Sequence, residues 1–186
     1  HAEEYEEFLF DPTGFYLQKY LPRVVGCAEG IQEMPYLPGL HYFRLVNGLR
    51  GFAKPAVRQA FERMIRAGEA AEVLGNHHTD FTQRMTAAGF PLAYGTTAVS
   101  PYDFIADYFR GATSMMKDLF RHKERLHRML EKALQFLLRQ TVAAARASGH
   151  PVVFIPIHWA PDAFMSPRQF EEFWWPSFRA LMMGLI

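Results

Sequence analysis

His158 and Asp162 follow closely on an apolar run, Val152 to Ile157, and side chains of these types can move protons. An imidazole titrates near neutrality, and a neighbouring carboxylate can orient it or hold a cation. Asp103 and Asp107 stand one helical turn apart on a single face, where two carboxylates could share a proton or bind a cation. Arg110 could clamp a carboxylate with its two-pronged guanidinium. His158, Asp107 and Asp162 are thus the catalytic candidates, and Tyr94, Tyr102, Asp103 and Arg110 the substrate-binding ones. Each has a plainer reading. His158 could donate to a loop carbonyl, Asp162 could stabilise the turn at Pro161-Asp162, Asp103 could complement a helix dipole, and Arg110 could be solvated or ion-paired. His77-His78 invites a metal reading, but adjacent His residues on extended chain point apart, and Thr79 or Asp80 explains itself as a helix cap. No metal ligand is assigned within the chain. Gly48-Leu49-Arg50-Gly51 could meet an anion through backbone N–H groups, though a plain turn serves as well. Trp174-Trp175-Pro176 reads as a kinked helix packing its aromatics on a neighbour.

The elements that must position these groups are read from periodicity. Val152, Val153, Phe154, Ile155 and Ile157 predict a short strand; an apolar run without alternation implies cover on both faces, hence a parallel sheet. Ser166 as N-cap, Pro167 at the first helical position and Gln169 three residues on predict a helix start. Phe90 to Tyr94 is a second strand candidate, entering the loop Gly95 to Ser100 before Pro101 opens a helix. Lys123 to Ser148 predicts the longest helix, with Leu126, Met129, Leu130, Ala133, Leu137, Thr141 and Ala145 on one stripe and Gly149 as terminator. Short helices are expected over Glu3 to Phe10 and Thr13 to Tyr20, and further helices over Pro55 to Ala71 and Thr79 to Ala88. Leu21 to Lys54, with its many Gly and Pro residues, reads as a lid-like irregular segment. Strands alternating with helices predict an α/β fold of repeated βα units, with sites at the strands' C-terminal ends. The organisation expected is one domain over 1–186: a helical and irregular segment 1–54, then βα units over 55–186.

Composition narrows the function classes. The net charge is +1 with both signs interspersed, which argues against nucleic acid as a partner. A single cysteine, Cys27, excludes an internal disulfide framework and suits a reducing, cytoplasmic compartment. No apolar stretch approaches the roughly 20 residues that span a bilayer, so no membrane role is expected. The chain starts without Met and stops at Leu185-Ile186 inside an apolar helical pattern, and is read as a central fragment of a larger fold.

The stretch "FPLAYGTTAVSPYDFIADYFRGATSMMKDLFRHKERLHRML", the long helix after it, and "VVFIPIHWAPDAFMSPRQFEEFWWPSFRALM" together resemble the central part of the uroporphyrinogen decarboxylase superfamily. The resembling features are the Pro101-Tyr102 helix opening, the Arg110-Gly111 break, the helix pair, the strand, and Ser166-Pro167 leading to Phe170, Phe173 and Pro176. The resemblance spans residues 90 to 182. It implies part of a (β/α)8 TIM barrel with the active site at its C-terminal mouth. It also implies a lyase removing carboxylates from a tetrapyrrole-type substrate without a cofactor, or a zinc-dependent methyltransferase acting with a corrinoid protein. Where the decarboxylases carry a Tyr on the Pro-aromatic helix, this chain has Asp107. The methyltransferase zinc ligands would lie beyond Ile186. A non-catalytic partial barrel that buries its sheet edges against another chain, for instance as a homodimer, is the remaining alternative.

Overall fold

The structure, a computed structural model, describes residues 2–35 and 45–186. Of the stretch read as lid-like, residues 36–44, with Pro38 and Gly39, lie outside the described residues. The chain divides into two compact units: His1–Leu9 with Leu92–Ile186, and Phe10–Pro91.

The barrel expectation is overturned. Of the described residues 77% are helical, and among them the only sheet is one parallel pair of two-residue strands, β1 (Thr96–Thr97) and β2 (Val153–Phe154). There is no barrel. The physical reason lies in the residues that looked like strands. Pro91 has no N–H to give a ladder, and the segment 90–94 is irregular, so pairing begins further along. Pro156 likewise stops the second strand short. With no further strands to cover them, Val152, Phe154 and Ile157 stay close to half exposed, so the unalternating run does not mark a strand sandwiched on both faces. The parallel direction itself is present, with Thr96 opposite Val153 and Thr97 opposite Phe154.

The first unit is built on the helix Lys123–Ser148, which buries Leu126, Met129, Leu130, Ala133, Leu137 and Thr141 along the expected stripe. It ends where Gly149 takes a left-handed φ of 62°, a conformation that favours glycine. Against it pack the helix Trp175–Leu185 and the short helix Pro101–Phe104. Residues near the chain's start belong to this unit as well. Tyr5 and Phe8, on the helix Tyr5–Phe10, are buried, and Phe8 meets Phe109 and Phe136 edge to face. Glu6 pairs with Arg128 at 2.9 Å.

In the second unit Ala28, Ile31 and Ala60 form a small core, flanked by Leu17, Leu21, Met34 and Met64. The two helices expected over Pro55 to Ala88 are one continuous helix, Pro55–Ala87. The 75–78 stretch carries no Pro, and a single Gly costs a helix only about 1 kcal/mol, too little to divide it. Among the described residues no helix is long and apolar enough to cross a membrane.

Candidate functional site

The site sits where the first β-strand hands over to the helix opened by Pro101, beside the loop that follows the second strand. Ser100 caps that helix: its Oγ accepts from the Asp103 N–H at 3.0 Å, and Pro101 takes the first position, where a missing N–H costs nothing. After Phe104 the backbone widens into a π-helical turn, Ile105–Arg110. Such turns are rare, and they recur at functional sites. Gly111, at φ 71°, ends it and lets the chain re-enter helix at Ala112.

Asp103 and Asp107 point at the same residue. Asp103 Oδ2 accepts the backbone N–H of His158 at 3.0 Å, and Asp107 Oδ2 lies 2.8 Å from the His158 ring at Nδ1. Because a carboxylate only accepts, Nδ1 carries a proton, and the other ring nitrogen, Nε2, is left as the variable site. Each carboxylate also takes an indole N–H on its second oxygen. Trp159 Nε1 donates to Asp107 Oδ1 at 2.6 Å, and Trp174 Nε1 donates to Asp103 Oδ1 at 3.0 Å. The two acids therefore hold His158 at two points, backbone and ring, and neither acid bridges to the other through a shared proton.

Burial separates their roles. Asp103 is fully buried, whereas the side chains of Asp107 and His158 are 24% and 52% exposed. The His158 pKa is raised above its ordinary 6.5, first by the hydrogen bond to Asp107 and further by the negative charges of Asp107 and Asp103, with partial desolvation opposing. An exposed imidazole whose charged form is favoured in this way can give up a proton at Nε2.

The remaining candidates fall elsewhere. Arg110 is committed within the protein. Its Nε donates to Asp118 Oδ2 at 2.7 Å and its Nη2 to Asp118 Oδ1 at 2.9 Å, and Asp118 is 1% exposed. Tyr5 donates its hydroxyl to the same carboxylate at 2.5 Å, and its ring lies under the guanidinium. The hydrogen bond to Asp118 holds the Arg110 pKa above its ordinary value, and burial pushes the Tyr5 phenol up. Tyr102 is buried in the core, where desolvation and the charges of Asp103 and Asp118 raise its pKa. Tyr94 is partly exposed and stacks on Phe154 at 5.1 Å. Asp162 is exposed in the loop beyond and makes no hydrogen bond to the His158 cluster. His77 and His78 lie on an exposed part of the helix Pro55–Ala87, and Gly48–Gly51 lies where one short helix passes into the next. Among the described residues no three His, Cys, Asp or Glu side chains are grouped to hold a metal ion.

Trp159 and Trp174 were not among the sequence candidates. The signal for Trp159 was its place directly after His158; nothing local singled out Trp174, which reaches Asp103 from 71 residues away. Comparison of the chain with protein-family models, with curated proteins and with solved structures finds no match.

Proposed function

We propose that this protein is a lyase of the uroporphyrinogen decarboxylase type, removing carboxylate side chains from a tetrapyrrole-type substrate with His158 as the proton donor. The observation that carries the reading is the half-exposed His158 imidazole, its ring hydrogen-bonded to Asp107 and its backbone N–H to Asp103. Both partners lie inside the stretch whose residues resemble that superfamily. In the reaction the bond between the side-chain carbon and its carboxylate breaks and carbon dioxide leaves. The electron pair remains with the carbon and the adjoining pyrrole, and the His158 Nε2 proton is returned to that carbon. Asp107 stabilises the imidazolium before transfer and keeps the proton on Nδ1 afterwards, so the ring turns over without changing orientation. Arg110 is occupied by Asp118, so of the two basic candidates, Arg110 and His158, it is His158 that is exposed. A cytoplasmic setting suits the free thiol of Cys27.

The test is turnover of a porphyrinogen bearing acetate side chains. His158→Ala lowers the rate by roughly a hundredfold or more if His158 is the general acid. A folded His158→Ala protein with undiminished turnover overturns the assignment. Methyl transfer, the other activity in the resembled superfamily, is separated from decarboxylation by metal analysis of the purified protein together with a corrinoid-linked methyl donor. Stoichiometric zinc and demethylation of that donor would replace the present reading.

A further inference from the structure

Asp103 cannot touch a substrate, because it is wholly enclosed, yet it accepts the amide of the residue that carries the chemistry. Its orientation is set from the opposite side. Trp174 is 2% exposed, sits on a second π-helical turn, Phe170–Trp174, and directs its indole N–H at the other Asp103 oxygen. The indole is itself held in place, stacked on Phe170 at 5.3 Å and tilted against Phe178 at 4.4 Å. The turn is started by a capping box in which Ser166 Oγ accepts from Gln169 N–H, and Gln169 Oε1 accepts from Ser166 N–H. A rigid stack of rings thus fixes a donor, the donor fixes a buried carboxylate, and the carboxylate fixes the backbone of His158.

We propose that Trp174 is a positioning residue for the His158 site, acting through Asp103 to hold the His158 backbone where its ring meets Asp107. This rests on His158 being the proton-transfer group, but it concerns how that group is held. Without the indole N–H, one Asp103 oxygen is buried without a donor, and the carboxylate swings toward other donors or water. The His158 amide then loses its acceptor. Its ring is no longer registered on Asp107, and the imidazole drifts toward ordinary behaviour.

Trp174→Phe keeps an aromatic ring in the stack and removes only the donor. Asp103→Asn keeps the shape but sets an NH2 group against one of the two donors, the His158 amide or the Trp174 indole. The readouts are spectroscopic, so a failure of the decarboxylase reading leaves them intact. NMR of wild type and both variants follows the His158 amide by hydrogen exchange and its ring by titration. In Trp174→Phe the His158 amide exchanges about ten- to a hundredfold faster, the scale for losing one bond to a charged acceptor, while the core amides of the helix Lys123–Ser148 keep their protection. The ring titration moves down toward 6.5 in both variants. A merely structural tryptophan would instead speed exchange across the whole unit to the same degree and leave the titration unmoved. That outcome, or an unchanged His158 amide in a folded Trp174→Phe protein, overturns the proposal. If Asp103→Asn does not fold, Trp174→Phe alone decides it.

Discussion

Replacing Arg110 by Met isolates a charge. In the native protein Asp118 is 1% exposed and receives two N–H bonds from Arg110 and one O–H bond from Tyr5. With Arg110 gone, only the Tyr5 hydroxyl faces a buried carboxylate. Breaking a buried pair on one side costs about 3–5 kcal/mol, because the desolvation of the remaining ion is no longer offset. For a unit of about a hundred residues, about 4–5 °C is lost per kcal/mol, so the melting midpoint falls by roughly 12–25 °C. Tryptophan fluorescence is the appropriate signal, since Trp159, Trp174 and Trp175 all belong to the unit that contains the pair. The cost comes from a stranded charge, so removing the charge should restore stability. The triple variant Arg110→Met, Asp118→Leu, Tyr5→Phe, which leaves no polar side chain in this cluster, is expected to recover most of the loss. A drop of less than about 1 kcal/mol for Arg110→Met, the scale of an exposed pair, would refute the reasoning and return Arg110 to the pool of substrate-binding groups. So would a triple variant whose loss equals the sum of its parts.

Ser166→Ala removes the hydroxyl arm of the capping box, leaving the backbone N–H arm to Gln169, and is expected to destabilise by about 1 kcal/mol in chemical denaturation. The raised His158 pKa gives stability a pH dependence of known sign. The charged pair with Asp107 contributes fully below the unfolded value near 6.5 and is lost as pH rises through the folded value, so the stability gap between wild type and Asp107→Asn is wider at pH 6 than at pH 9 in urea titrations. A gap that is constant, or wider at high pH, would contradict the pairing. If His158 is the general acid, the rate of decarboxylation falls as pH rises through that same raised pKa, and a pH–rate profile whose descending limb is absent would count against it.

Local chemistry was legible in the sequence wherever it depended on neighbours in the chain. Ser166, Pro167 and Gln169 announce their capping box, Gly149 ends its helix, and the stripe from Leu126 to Thr141 faces the core as its period requires. Asp103 and Asp107 do share a helix face, but both are turned to the N–H groups of His158 and of two indoles. That could not be read from spacing, since His158 arrives from 51 residues beyond Asp107 and Trp174 from 71 residues beyond Asp103. The strands were misjudged for a related reason. An apolar run indicates burial only if some other segment covers it, and Pro91 and Pro156 limit the ladder to two residues on each side. Likewise, the helix over Pro55–Ala87 reads as divided because Thr79 or Asp80 resembles a helix cap, though neither forces a break.

The central claim is that Asp107 holds the His158 ring through Nδ1 and raises its pKa above the ordinary 6.5. NMR titration of the His158 ring nitrogens in wild type and Asp107→Asn measures this directly. The expected result is a wild-type midpoint above 6.5 with Nδ1 protonated throughout, and a lower midpoint in Asp107→Asn. A wild-type midpoint at or below 6.5, or one that Asp107→Asn leaves in place, would contradict it.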